Sequence, residues 1–211
     1  MSNYVLSSDD EATVSENTIG EILNNRYMYL KYLGRGTFSR VWLVYDIIDG
    51  EYYAMKSIFK EYIKDGLLEL KFHTYLADSN SNHDSNILKL IDHFRIDNNL
   101  FIITELLGFC LIDCISNNSN IEIFKYIIRS ILLGIKELHD NGIIHNDIKM
   151  ENIITNIYDD KILKIKELVS SLQINKYYKE TIEKLKLEDE YVTFNKIKKK
   201  KYNRKIKIRI L

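Results

Sequence analysis

Proline is absent from this 211-residue chain, and cysteine is scarce. Only two cysteines occur, Cys110 and Cys114, and this single pair without nearby histidines makes a poor metal site and no disulfide framework. No window approaches the roughly eighteen apolar residues of a membrane-spanning helix, and no apolar run follows a basic start. We therefore expect a soluble, intracellular protein of the cytoplasm or nucleus, with reduced thiols and no membrane partner.

A net charge of one sign is also lacking, because 30 basic side chains balance 30 acidic ones. Composition therefore favours no nucleic-acid partner. The charges are nevertheless segregated. Residues 1–25 carry acidic but no basic side chains, which predicts a disordered acidic leader, and residues 171–211 end in a basic tail of uncertain structure. That tail is either a nuclear-import or nucleic-acid patch or an ordinary solvated segment, and the solvated segment is the commoner case.

Short β-branched and aromatic runs, separated by turn residues, predict a five-stranded antiparallel sheet. A helix is predicted over 64–77, and an apolar stripe at 3.6-residue spacing predicts a long helix over 121–142. Two short strands are expected around ENIIT and KILKI. The fold class is α+β, with a small β-rich lobe and connector over 26–107, a cleft, and a mainly helical lobe over 108–170. The five strands are predicted at 28–34, 40–47, 51–59, 87–96 and 100–107.

Two glycines, Gly34 and Gly36, lie in the turn between the first two strands. Glycine lets the backbone approach a phosphate closely, although an ordinary tight turn also explains them. Lys56 lies inside the third strand, and Glu69 on the following helix is a possible carboxylate partner. A lysine in a strand usually faces solvent. Lys56 therefore indicates a phosphate site only in combination with the glycine turn and a carboxylate partner.

The segment IIHNDIKMENII places three polar groups between two apolar runs. In phosphoryl transfer, a carboxylate such as Asp147 can accept the proton of the substrate hydroxyl. A lysine such as Lys149 can steady the phosphate, and the amide oxygen of Asn152 can hold Mg²⁺. As isolated turn residues the three are unremarkable. After a glycine turn, a strand lysine and a helix glutamate, they favour phosphoryl transfer.

These motifs together resemble the eukaryotic protein kinases, and most of all the SR-protein kinases. GRGTFSRVWL is similar to the glycine-rich loop of that family, with Ser39 in place of the third glycine and Trp42 following. HNDIKMEN is similar to its catalytic loop, with Asn146 where most kinases have arginine. LLELKFHTYLADSN and ITELLGFCL resemble its helix and hinge segments, so the resemblance covers about residues 27–165.

The resemblance implies that the cleft binds ATP and Mg²⁺, with Asp147 as base, Lys149 as phosphate-steadying cation, and Asn152 and Glu167 as metal ligands. Lys56 would contact the α- and β-phosphates and pair with Glu69. The other implied residues surround the adenine ring. Thr104 would lie behind the ring, and the Glu105 carbonyl and Leu107 amide would form hydrogen bonds with it. Ala54 and Ile154 would pack on its two faces. The full implied ATP-binding set is Leu33, Gly34, Arg35, Gly36, Thr37, Phe38, Ser39, Val41, Ala54, Lys56, Glu69, Thr104, Glu105, Leu107 and Ile154.

Two departures from the family pattern keep three functions open. Glu167-Leu168-Val169 stands where the family has Asp-Phe/Leu-Gly, which lengthens the metal-binding side chain and removes a flexible glycine. The helical lobe is also expected to be truncated, which would expose the apolar face of its long helix to a partner or a second copy. The resemblance therefore implies one of three functions: a serine/threonine kinase that acts on an Arg/Ser-rich protein, an impaired pseudokinase or nucleotide-binding interaction module, or a degenerate truncated kinase.

Overall fold

The computed structural model describes residues 18–79, 85–115, 121–171 and 208–210. Single-turn helical segments lie at Lys60–Tyr62 and Met150–Asn152. The elements, in chain order, are β1 Ile22–Leu23, β2 Tyr27–Arg35, β3 Ser39–Asp46, β4 Tyr52–Ile58, α1 Ile63–Ser79, β5 Leu90–Ile96, β6 Asn99–Glu105, α2 Leu111–Ile115, α3 Ile121–Asp140, β7 Ile153–Thr155, α4 Asp160–Ser171 and β8 Ile208–Ile210.

The main sheet confirms the predicted antiparallel order and the α+β class. Its strands lie in the order β1-β2-β3-β4-β6-β5, so the five predicted strands are joined by one short additional strand. That strand pairs Ile22 with Met28 and Leu23 with Tyr27. The prediction of a disordered leader to residue 25 is therefore wrong for its last residues, while residues 1–17 lie outside the described part of the chain.

The two faces of the sheet carry separate hydrophobic cores, because successive strand residues point to opposite sides. On one face, Trp42 packs edge-on against Tyr29 and Tyr32, with ring centroids 5.0 and 5.1 Å apart. On the other face, Met28, Leu30, Leu43 and Leu106 form a cluster with apolar side chains of α4. Each face of the sheet thus carries its own cluster of buried apolar side chains.

Helix α1 lies against the sheet near its β4 and β6 strands. Leu70 packs in a cluster with Ile58, Leu100 and Ile102. At Gly66 the approach is so close that an added Cβ would lie 2.9 Å from Ile58 Cγ1. The glycine therefore brings α1, and the Glu69 that it carries, close to β4.

The predicted long helix is confirmed as α3, but only part of its apolar stripe is buried. Its buried residues are Ile127, Ser130, Gly134 and Leu138. The opposite side leaves Ile128 and Leu132 more than half exposed. Among the described residues, no helix is long and apolar enough to cross a membrane.

The predicted strand at KILKI is wrong, because these residues form the first turns of α4. Asp159 caps this helix, since its Oδ1 accepts the Ile162 amide at 2.6 Å. The buried residues Ile162, Ile165 and Val169 recur at helical spacing. The predicted strand at ENIIT is confirmed as β7, but its partner is β8, from the end of the predicted basic tail. The rest of that tail after Ser171 lies outside the described residues, apart from β8.

Candidate functional site

An ion pair links the central strand of the sheet to α1. Lys56 lies on β4, opposite Val41 on one side and Ile102 on the other. Its Nζ lies 2.7 Å from both carboxylate oxygens of Glu69. Both side chains are about one third exposed, at 32% and 35%. The lysine is therefore held in a defined position while it stays accessible to an anionic ligand.

A histidine that the sequence reasoning missed lies next to this pair. His73 follows Glu69 by one helical turn, and its Nε2 lies 4.0 Å from Glu69 Oε1. Its side chain is only 11% exposed, and this burial lowers the pKa of the imidazole below 6.5. It lines a cavity of about 320 Å³ between α1 and the segment that ends with His145. The i, i+4 spacing from Glu69 was the available signal.

The glycine turn connects β2 and β3 close to Lys56, because Gly34 and Lys56 both lie opposite Val41. Gly36 N donates to the Ser39 carbonyl at 2.9 Å, which closes the turn, and Ser39 is buried. Around a Cβ placed on Gly34 there is no atom within 4 Å, so the protein itself leaves that space open. The turn therefore offers room for a ligand next to the Lys56 ammonium.

Exposed side chains of this turn are held by aromatic contacts. Phe38 is 49% exposed and packs edge-on against Tyr62, with ring centroids 4.8 Å apart. The guanidinium groups of Arg35 and Arg40 lie over the Phe59 ring at 5.1 and 5.4 Å. Thr37 is exposed beside them. The turn thus presents cationic groups at its outer edge.

The connector after β6 is tightly built. Thr104 is buried between Ala54 on β4 and Leu90 on β5. The Glu105 backbone amide donates to the Lys89 carbonyl at 3.0 Å, and its carboxylate accepts the Lys89 amide at 3.1 Å. Leu107 is buried at the end of the connector. The predicted adenine-bonding residues therefore lie on a fixed segment of backbone.

The loop before β7 brings three predicted residues together. Asp147 Oδ2 lies 3.0 Å from Lys149 Nζ and accepts the Asn152 amide nitrogen at 2.8 Å. The same nitrogen donates to the Asp147 carbonyl at 2.9 Å. Asn146 adopts a left-handed conformation, with φ of 60°, which asparagine tolerates better than most residues. The Asp147 amide in turn donates to His145 Nδ1 at 3.2 Å. Together these contacts fix the orientation of the exposed Asp147 carboxylate.

Charge in this loop favours the ionised form of Asp147. The hydrogen bond from Lys149, followed by that from Asn152, lowers the pKa of the Asp147 carboxyl below its usual value. The carboxylate is therefore available as a proton acceptor at neutral pH. Since the amide nitrogen of Asn152 is already engaged, its amide oxygen is the atom that could bind a cation. Carboxylate and amide oxygens are ligands that fit Mg²⁺.

Helix α4 lies on the face of the sheet that carries other predicted ATP-binding residues. Leu33 and Ala54 both pack against the cluster that contains Ile162, Ile165 and Val169. Ile154 lies on β7, where it bridges to Cys110. The structure therefore places apolar side chains of α4 next to the residues expected to contact adenine.

Polar contacts also hold α4 in this place. The Tyr158 hydroxyl donates to the Leu106 carbonyl at 2.7 Å. The Tyr52 hydroxyl donates to the Lys166 carbonyl at 3.1 Å and lies 3.3 Å from Ser170 Oγ. Lys166 Nζ lies 5.0 and 4.8 Å from the centroids of the Tyr52 and Tyr158 rings. Burial lowers the pKa of the Lys166 ammonium.

Glu167, the second predicted metal ligand, lies on the exposed side of α4. Within the described ranges no hydrogen bond or ion pair joins it to Asn152 or Asp147, and no cluster of three His, Cys, Asp or Glu residues could hold a metal. The structure therefore brings together Lys56 with Glu69, and Asp147 with Lys149 and Asn152. It does not bring Glu167 to either group.

The known proteins to which this chain is similar are protein kinases. A family model described as protein kinase domain matches residues 27–208. Human SRSF protein kinase 3 is 34% identical over 160 residues, which are 70% of this chain and 28% of that protein. Dual specificity protein kinase lkh1 of Schizosaccharomyces pombe is 29% identical over 136 residues, which are 62% of this chain and 20% of that protein.

A further relative and a solved structure extend the comparison. Serine/threonine-protein kinase Doa of Drosophila melanogaster is 30% identical over 155 residues, which are 68% of this chain and 19% of that protein. The crystal structure of a kinase domain aligns with a TM-score of 0.60 and 28% identity, over 68% of this chain and 45% of that one. The chain therefore spans less than a third of the length of these curated relatives.

Proposed function

The chain belongs to the protein kinase family, and on that premise we propose that it transfers the γ-phosphate of ATP to a serine or threonine hydroxyl of a protein. The observation that carries the proposal is the contact of Asp147 with Lys149 and Asn152. An exposed, ionised carboxylate beside a cation is the arrangement that this reaction needs. A module that only binds nucleotide has no use for a proton acceptor at that point.

In the proposed reaction the substrate hydroxyl oxygen attacks the γ-phosphorus, and the bond from that phosphorus to the bridging oxygen of ADP breaks. Asp147 accepts the hydroxyl proton, and Lys149 stabilises the charge on the transferring group. Lys56, held by Glu69, orients the α- and β-phosphates. When it is bound, Mg²⁺ supplies further neutralisation of the phosphate charge. Asn152 would hold that ion, with Glu167 as the second proposed ligand.

The other ATP contacts of the proposal use the turn and the connector. The turn residues from Leu33 to Val41 would cover the phosphates, and the open space beside Gly34 supports that role. Ala54, Ile154, Thr104 and the Glu105–Leu107 backbone would surround adenine. A protein rich in Arg and Ser is the substrate that the resemblance to SR-protein kinases suggests, in the cytoplasm or nucleus. A partner or second copy would cover Ile128 and Leu132 on α3.

A second function, an interaction module that does not transfer phosphate, is supported by the position of Glu167. Mg²⁺ requires near-ideal octahedral geometry, so a carboxylate on the exposed side of α4 contributes nothing to a site at Asn152 while α4 stays docked. The two functions share nucleotide binding and differ in transfer. A transfer assay therefore separates them.

The test is transfer of labelled γ-phosphate from ATP with Mg²⁺ to an Arg/Ser-rich peptide by purified, monodisperse protein. Asp147→Ala and Lys56→Met should each abolish the signal, because they remove the base and the phosphate contact. Matched controls on α1, Asp78→Ala and Lys71→Met, change exposed residues of the same types and should keep it. A signal that persists in Asp147→Ala would refute the assigned base. Folded protein without any signal would instead favour the interaction module.

A further inference from the structure

We propose that α4 is an internal competitor of ATP, which binds adenine-facing residues of the sheet in place of the nucleotide and must leave before ATP can enter. This inference rests on the proposed function, because it takes Leu33 and Ala54 as contacts of adenine. It adds a regulatory property to that site. Access to the cleft depends on the docking equilibrium of a helix from the same chain.

The apolar contacts of α4 carry the first part of the argument. Ile162, Ile165 and Val169 are 6%, 4% and 2% exposed, and they share one cluster with Leu43 and Leu106. Leu33 and Ala54 pack against that same cluster. An adenine ring on Ala54 would lie against this same cluster, three of whose members belong to the helix. Two occupants of one surface exclude each other, so the helix lowers the apparent affinity for nucleotide.

Polar contacts show that the docked helix is held specifically. Tyr52 contacts the helix at Lys166 and Ser170, and Tyr158, just before the helix, bonds the connector carbonyl of Leu106. The Lys166 ammonium lies between the two tyrosine rings. The contacts of α4 thus reach both the sheet and the connector that the proposal assigns to adenine.

The metal role proposed for Glu167 gives a second reason for α4 to leave. In the docked helix this side chain is exposed, and it contacts neither Asn152 nor Asp147. A role as metal ligand requires residues 160–171 to rearrange. The same movement that uncovers Leu33 and Ala54 therefore frees Glu167. Nucleotide binding and assembly of the metal site are coupled through one helix.

The first test measures the affinity of the full chain for a fluorescent ADP analogue. Ile165→Ala removes a contact of the docked state alone, so the analogue should bind at least about tenfold more tightly. Tyr52→Phe removes only a hydroxyl, so a gain of a few fold is expected. Lys164→Ala, on the exposed side of α4, is the matched control and should bind as wild type does. Near-UV circular dichroism verifies that each variant is folded.

The second test needs no variant. Amide hydrogen exchange of residues 160–171 is measured in the wild-type protein with and without saturating ADP and Mg²⁺. Displacement of α4 by nucleotide should accelerate exchange in these residues. Unchanged or slower exchange would overturn the inference, even if Ile165→Ala failed to fold.

The outcomes separate the two proposals. If the wild type binds the analogue as tightly as Tyr52→Phe and Ile165→Ala do, and exchange in α4 is unchanged, the proposed competition between α4 and ATP is wrong. The proposal of ATP binding is then retained. If no folded variant binds the analogue at all, ATP binding itself is wrong, and the inference is overturned with it.

Discussion

Gly108 is a position where a single methyl group should be costly. A Cβ added there would lie 1.8 Å from the Ile157 carbonyl oxygen and 2.3 Å from its carbon. Both atoms belong to the backbone, so no side chain can rotate away. The Gly108 amide donates to the Thr155 carbonyl at 2.7 Å, and the Phe109 amide donates to the Ile157 carbonyl at 2.7 Å. To relieve the clash, the backbone at residues 108–109 must move away from the backbone at residues 155–157.

The cost of Gly108→Ala can be worked from these contacts. An ordinary carbon–oxygen contact needs more than 1 Å of additional separation, which breaks at least two backbone hydrogen bonds of about 0.5–1.5 kcal/mol each. Strain in the displaced segment adds about 1–3 kcal/mol. We expect the free energy of unfolding to fall by about 2–6 kcal/mol, measured as a lower urea midpoint at unchanged slope.

Gly34→Ala is the matched control, because its added Cβ meets no atom within 4 Å. Its free energy of unfolding, measured by urea titration, should stay within about 0.5 kcal/mol of the wild-type value. A Gly108→Ala variant as stable as Gly34→Ala would refute the close approach of the connector to residues 155–157. That result would also contradict the fixed position of the connector backbone that is proposed to bond adenine.

Three further predictions concern charge and packing. Lys149→Met should raise the pKa of Asp147, seen by carboxyl NMR, because Lys149 is the main cause of its lowering. Burial lowers the pKa of His73 from 6.5, so as the pH falls the imidazole is protonated in the unfolded chain before it is protonated in the folded one. The free energy of unfolding should therefore fall as the pH drops below about 6.5. His73→Leu should remove this pH dependence in urea titrations. Gly66→Ala should destabilise by about 1–3 kcal/mol through its contact with Ile58, despite the better helix propensity of alanine.

Each of these has an outcome that contradicts it. An unchanged Asp147 titration in Lys149→Met would mean that the 3.0 Å contact is absent in solution. A slope that survives in His73→Leu would assign the pH dependence to another group. A more stable Gly66→Ala, in urea unfolding, would mean that α1 lies further from β4 than the structure has it.

The sheet and the Lys56–Glu69 pair could be predicted because local signals determine them. Strand alternation and turn residues locate β2 to β6 within a few residues. Lys56 on β4 and Glu69 on α1 meet because one short connection joins a strand to a helix that packs on the same sheet. The extra strand at Ile22–Leu23 was missed because two residues carry no periodicity.

Helix α4 could not be predicted from KILKI, because its apolar residues fit both a strand and a helix. Ile162 and Ile165 are three residues apart, and only Val169, four residues further, completes a helical stripe. Asp159 before the stripe was the unused capping signal. Residues 160–171 form a helix because its apolar side chains pack on the face of the sheet that carries Met28, Leu30 and Leu43.

The energy of α4 docking sets the scale of the proposed competition. Burial of three side chains such as Ile162, Ile165 and Val169 is worth roughly 1.5–3 kcal/mol each, or about 5–9 kcal/mol together. A micromolar ligand binds with about 8 kcal/mol. The adenine ring covers the sheet again after the helix leaves, so only the helix side of the contact, about half of the total, remains uncompensated. Apparent affinity should then be two to three powers of ten below the intrinsic value, because each 1.4 kcal/mol is tenfold. The gain in affinity of Ile165→Ala measures the share of that difference that one side chain carries.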